Sequence, residues 1–183
     1  WKTIEALKGG LFACCLAATA LLLSALLRIN MLYQPNSLDI LCWTLVYFCV
    51  IRYIQTNNYK WLYLLAVSFA IGFLNKYNIV FCLLGLLPAL LLTEQRKLFV
   101  RPQFYIAIVL ALILISPNLW WQYQNSFPVF KHMKELSDTQ LVHVNRIDFL
   151  KEQLLFFIGS LFVLVAGLIS LISFAPFKPY RLL

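Results

Sequence analysis

The sequence predicts an all-α, polytopic integral membrane protein, and three observations carry that prediction. Hydrophobic residues make up 62% of the 183 residues and charged residues 12%, about half of the roughly 25% typical of a soluble domain. The charges are clustered, which leaves long apolar stretches between them. Most of those stretches approach the roughly 20 residues that a helix needs to cross a bilayer, where a helix satisfies its own backbone hydrogen bonds.

Six spans follow in order. Residues 9–27 are uncharged and are closed by Arg28. In the linker 29–37, Pro35 disfavours helix at Gln34, and Asn36 or Ser37 can cap the next helix. The second span is 38–54, with Asp39 in its first turn. Asn57, Asn58 and Lys60 break the chain. The run 61–93 has 33 residues, too many for one ordinary span. Its polar interruption is Asn75-Lys76-Tyr77-Asn78, so it reads as two short helices, 61–75 and 78–93, joined by a tight turn. Span five is 103–121, with Pro117 and Asn118 as its stop signal. A polar loop, 122–151, precedes span six, 153–174, which Pro176 and Pro179 end. The chain 1–183 thus reads as one transmembrane domain. It starts at Trp1 with no signal-peptide pattern, which leads us to expect an N-terminal portion upstream.

Charge sets the expected topology. Six spans place both termini, the 52–60 loop and the 94–101 loop on one side. That side holds nine basic residues (Lys2, Lys8, Arg52, Lys60, Arg96, Lys97, Arg101, Lys178, Arg181) and two acids, Glu5 and Glu94. The other side holds six basic residues and five acids. The positive-inside rule makes the first side cytoplasmic. Tyr59, Trp61 and Tyr63 mark the inner interface, and Trp120, Trp121 and Tyr123 the outer one. The net charge of +8 does not indicate nucleic acid, because the cations sit at span ends and form no basic stripe. The five cysteines lie inside apolar runs without CxxC spacing and read as small buried residues.

Polar groups gather on the outer side: Arg28, Asn30, Gln34, Asn36 and Asp39, then Asn75, Lys76 and Asn78, then His132, Lys134 and Glu135. Two readings of Asp39 stand: complementing the dipole of the helix it opens, or a catalytic or metal-linked role. Lys76 either snorkels to the interface or, set in a turn below the membrane surface, acts as a fixed cation for a lipid phosphate. Lys134 offers a second cation for phosphate, and His132 with Glu135 could bind a divalent metal. His143 and Arg146 are weaker candidates. No motif of the soluble hydrolases, P-loop enzymes or zinc proteases occurs.

Three stretches resemble glycosyltransferase family 39, the dolichyl-phosphate-mannose–protein mannosyltransferase-like enzymes. Gln34-Pro35-Asn36-Ser37-Leu38-Asp39 is similar to a segment that opens a span in that family. Gly72-Phe73-Leu74-Asn75-Lys76 is similar to its Gly-Leu-…-Thr-Lys span end, with Asn in place of Thr. Ser116-Pro117-Asn118-Leu119-Trp120-Trp121 is similar to its Pro-x-x-x-Trp helix end before a long outer loop. The resemblance implies a GT-C type membrane domain, in bacteria an inner-membrane enzyme acting on the periplasmic face. It implies transfer of a sugar from a polyprenyl-phosphate carrier to a protein, lipid A or glycan acceptor, and a divalent metal ion in some members. Relatives include the enzyme that adds aminoarabinose to lipid A. Lys76 then matches the family lysine, Asp39 is the next match and the catalytic candidate, and His132 with Glu135 stands where the family has an outer-loop histidine near an acid. The family's first-loop acid falls upstream of the matched region, and the general base is expected there.

The main rival is a multi-span transporter or channel for a small polar solute, which would place ionisable groups near the bilayer midplane. Here mid-span residues are apolar. A structural subunit leaves the polar outer face without a purpose. Another lipid-carrier enzyme, such as an O-antigen ligase or polymerase, differs only by the family resemblance.

Overall fold

The computed structural model describes every residue except Tyr33 and Leu183, with Arg28 and His143 described as backbone alone. Ten α-helices follow in order: α1 (Lys2–Ala6), α2 (Leu11–Leu22), α3 (Leu26–Met31), α4 (Asn36–Thr56), α5 (Lys60–Asn75), α6 (Val80–Leu91), α7 (Pro102–Gln124), α8 (Pro128–Thr139), α9 (Arg146–Phe156) and α10 (Leu161–Ser173). Short 3₁₀ turns join several of them, and no strand occurs among the described residues.

The core is built by α4, α5, α6 and α7. Helix α4 ends because Asn57 adopts a left-handed conformation, φ 49°, which asparagine tolerates better than most residues. Its neighbour Asn58 accepts the Lys60 N–H at 3.0 Å, and α5 starts there and packs against both α4 and α7. Val46, Val50, Leu62, Ala66, Ile79, Cys82, Leu86 and Ala107 share one buried cluster. Many members are small, as expected where helices gain packing in lipid by close backbone approach. Gly72 is the tightest point. A side chain there would run into Ile79 and would stand 3.0 Å from the Cβ of Cys42.

The structure bears out the all-helical class and refines the spans. Helices α4 and α7 are long and apolar enough to cross a bilayer, with 21 and 23 residues. The count rises to four if each bent pair forms one crossing: 77–91 with 94–100, bent by 107°, and 146–156 with 158–173, bent by 50°. Helices α2 and α5 are apolar but shorter, with 12 and 16 residues. The first expected span, 9–27, is broken at Ser24. That hydroxyl donates to the Leu21 carbonyl at 2.8 Å and accepts the Leu26 N–H at 3.3 Å, an alternative to helical pairing that serine readily supplies.

Two sequence readings need correction. Pro117 does not stop its helix, because α7 runs through it to Gln124. A proline leaves the carbonyl four residues earlier without its partner. Here that carbonyl, of Ile113, accepts the Ser116 hydroxyl at 2.8 Å. The region 122–151 is not an irregular loop either. It holds the end of α7, all of α8 and the start of α9. Val129, Met133 and Leu136 recur at helical spacing, Pro128 opens α8 where a missing N–H costs nothing, and Asn145 caps α9 through the Ile147 N–H at 2.9 Å.

Substituting Gly72 by Val should overpack the α4–α5–Ile79 contact and destabilise the fold by about 1–3 kcal/mol. Thermal unfolding in detergent would measure it. An unchanged midpoint would show that the close approach at Gly72 is dispensable.

Candidate functional site

The four-residue turn after α5 is tied to the start of α4. Lys76 closes α5 with its N–H on the Gly72 carbonyl at 2.7 Å and is itself extended, φ −158°, ψ 126°. Three side chains of the turn then reach across about 40 residues of sequence. Asn75 Nδ2 donates to the Pro35 carbonyl at 2.8 Å, Lys76 Nζ to Asn36 Oδ1 at 3.0 Å, and Asn78 Nδ2 to Asp39 Oδ2 at 2.9 Å. Asn36 passes its own amide to Gln34 Oε1 at 2.8 Å, and Ser37 donates to Asn30 Oδ1 at 2.7 Å. The polar residues on either side of Pro35 therefore form one connected patch with the turn.

Asp39 and Lys76 play different parts in it. Asp39 is 8% exposed. Its Oδ1 is buried without a partner, and so is Oδ1 of Asn78. Buried acceptors of this kind are costly unless something completes them. Asp39 also lines an open pocket of about 310 Å³ with Ile40, Trp43, Thr44 and Tyr47. Lys76 is exposed, and no carboxylate lies within ion-pair distance of it among the described residues. It is a cation held by the neutral amide of Asn36 and available to an anion.

A second hydrogen-bonded chain links the turn to α7 and α8. Tyr77 donates to Asn118 Oδ1 at 2.9 Å and accepts from Gln122 Nε2 at 2.7 Å. Gln122 is 7% exposed. Its backbone carbonyl takes the Phe127 N–H at 2.7 Å, and its Oε1 faces the Val129 N–H at 3.5 Å. Ser126 and Phe127 both carry positive φ, 58° and 52°, so the reversal into α8 is sharp and Gln122 stands at its centre. Sequence reasoning placed no site role on Tyr77 or Gln122 and read Asn118 only as part of a helix stop. The available signal was their position at the same membrane end as the flagged residues.

The remaining candidates lie apart. His132, Lys134 and Glu135 are all exposed on α8. His132 and Glu135 are three residues apart and share a face, whereas Lys134, two on from His132, does not. No hydrogen bond or ion pair joins these three to Asp39 or Lys76 among the described residues. Nor does any group of three His, Cys, Asp or Glu residues assemble among them. Magnesium commonly takes only one or two carboxylates from the protein and completes its shell with phosphate and water. Exposed Glu135 would suit an ion of that kind only with substrate supplying the rest, and the His132 imidazole beside it suits a transition metal such as zinc; the unpartnered oxygens of Asp39 and Asn78 are enclosed.

The family model described as dolichyl-phosphate-mannose-protein mannosyltransferase matches residues 1–121. That region contains Asp39, Lys76, Tyr77 and Asn118 and stops short of α8. Lipid A galacturonosyltransferase RgtD of Rhizobium johnstonii is 28% identical over 81 residues. The matched part is 44% of this chain and 17% of that protein, so the chain spans a minor part of its curated relative. No solved structure gives a significant match.

Replacing Tyr77 by Phe removes the hydroxyl shared by Asn118 and Gln122 and should cost about 1–3 kcal/mol, since the buried amide of Gln122 is left unpaired. A cycle with Gln122→Leu should show a coupling of about 0.5–3 kcal/mol in thermal unfolding. Strictly additive effects would remove the linkage between the turn and α7.

Proposed function

Because the chain belongs to the dolichyl-phosphate-mannose-protein mannosyltransferase family, whose members are membrane glycosyltransferases, we propose that it forms part of an enzyme that takes its sugar from a polyprenyl-phosphate carrier. The acceptor is a glycolipid or a protein, and the transfer takes place on the outer face of a bacterial inner membrane. One observation carries this reading: Lys76, free of any acid within ion-pair reach, is pinned by Asn36 one helical turn from buried Asp39. The cation and the carboxylate stand at the same end of α4 without pairing, where a lipid-borne phosphate arrives from the bilayer.

Each residue has a part in that scheme. Transfer forms a bond from an acceptor oxygen to the anomeric carbon, with the acceptor's proton passing to a general base, as the bond between that carbon and the phosphate oxygen breaks and the phosphate leaves carrying the electron pair and its lipid. Lys76 stabilises that developing charge, a contribution worth most where water is excluded. Its hold on Asn36 fixes the ammonium before the reaction, so little reorganisation is needed. Asp39, oriented by Asn78, acts at the sugar side, beside the pocket that it lines. Lys134 supplies a second cation for the phosphate from α8. Where a divalent ion takes part, His132 and Glu135 would hold it and it would neutralise phosphate charge. The Tyr77–Gln122 linkage keeps α8 in register with the turn.

The polar groups of this site gather at the helix ends, whereas a transport pathway would carry them through the midplane. The relative's name identifies lipid A as an acceptor and galacturonic acid as a sugar for that protein, and the family description identifies mannose. Those are the two donors and the acceptor to try first.

The test uses the full-length protein in liposomes with radiolabelled polyprenyl-phosphate sugars supplied one at a time. Turnover of one donor is expected, with Lys76→Ala lowering it about 100-fold or more, the scale for loss of one charge-stabilising group. Lys134→Ala and His132→Ala should have smaller effects. Undiminished turnover in Lys76→Ala would take that residue out of the phosphate site. Failure of the folded protein to bind any such donor would overturn the proposal.

A further inference from the structure

At the end of the α4–α5 hairpin remote from Lys76, two cations share one aromatic ring. The Arg52 guanidinium lies 5.3 Å from the centroid of Trp61 and the Lys60 ammonium 5.4 Å from it. The ring attracts each cation, yet the two repel one another. Lys60 also opens α5, where the helix dipole favours an anion. No acid pairs with either cation among the described residues. The ion pairs among the described residues are Lys2–Glu5 and Lys151–Asp148. Arg52 donates to the neutral amide of Gln55 at 3.2 Å. Gln55 in turn donates to the Ala6 carbonyl and to Tyr180, so α1 and the C-terminal segment approach the same place. The acid on α1, Glu5, is occupied by Lys2 and Trp1, both at 2.8 Å, and those hydrogen bonds hold its carboxyl below the usual range. The indole N–H of Trp61 has no partner either.

An apolar track leads away from these cations. Leu64, Val67, Ile71 and Leu74 follow Lys60 at helical spacing along one face of α5, and they are 49%, 36%, 47% and 50% exposed. A free anion has no use for such a track, but an acyl chain does.

We propose that Arg52, Lys60 and Trp61 form a binding site for the phosphate headgroup of an anionic membrane phospholipid, with an acyl chain lying along Leu64–Leu74. The guanidinium fork takes two phosphate oxygens, the ammonium adds a compact charge, and the ring stays at headgroup level as interfacial tryptophans do. The bound phosphate removes the repulsion between the two cations. It thereby anchors the hairpin whose opposite end carries Asp39 and the Lys76 turn. This inference stands independently of the glycosyl-transfer reading.

The test is native mass spectrometry of the full-length protein with phosphatidylglycerol and phosphatidylcholine of identical chains. The wild type should retain phosphatidylglycerol preferentially. The Arg52→Gln/Lys60→Gln double variant should lose about thirtyfold of that preference, the scale of two juxtamembrane cations. Lys97→Gln, an exposed cation on the 94–100 segment, should keep it. If the double variant does not fold, Lys60→Gln alone, at an exposed position, should lose roughly fivefold. Equal retention of both lipids by the wild type would overturn the proposal, as would an equal loss in Lys97→Gln, which would mean diffuse surface charge. Complete displacement of the lipid by inorganic phosphate would also overturn it, in favour of a free-anion site.

Discussion

The absence of a side chain at Gly72 decides how closely α4 and α5 approach. Ile79 and Cys42 occupy the space that a Cβ would need, and both are buried almost completely. Because the helices meet there, one turn before α5 ends, residues 75–78 fall on the first turn of α4. Three separate hydrogen bonds then become possible between segments about 40 residues apart. In lipid, where apolar burial gives little net drive between helices, such close contacts and polar bonds supply most of the association. The packing of the core and the assembly of the polar patch are thus one event.

The patch divides its groups by burial. Asp39 is enclosed with one oxygen satisfied and one not, whereas Lys76 is held by an amide and remains open. A buried carboxylate is expensive unless hydrogen-bonded, so Asn78 is as necessary to Asp39 as the helix dipole is. The dipole and Asn78 together explain how the carboxylate is tolerated, and its second oxygen is left without a partner.

Helix α7 shows the same economy. Proline costs a helical hydrogen bond, and Ser116, immediately before Pro117, returns one. The helix therefore continues far enough for Gln122 to reach Tyr77 and the reversal into α8. Had α7 stopped at Pro117, Gln122 would have had no fixed place, and α8 would hang from a flexible link.

By itself the sequence determined the environment and the positions of the core helices α4, α5, α6 and α7. Apolar runs bounded by charges require the backbone to close its own hydrogen bonds, and α4, α5 and α7 fall within a few residues of 38–54, 61–75 and 103–121. It also picked out Asp39, Asn75, Lys76 and Asn78, because polar residues at the ends of apolar helices are visible without coordinates. The tertiary structure alone decided which of these meet. Lys76 pairs with Asn36 and Asn78 with Asp39, while His132, Lys134 and Glu135 stay apart on α8. Tyr77, Asn118 and Gln122 form a hub that no local pattern announced, since hydrogen bonds spanning 41 and 45 residues leave no periodicity. The break at Ser24 and the passage of α7 through Pro117 were also beyond its reach. Each depends on whether one hydroxyl takes one backbone carbonyl, a choice that packing makes and propensity does not.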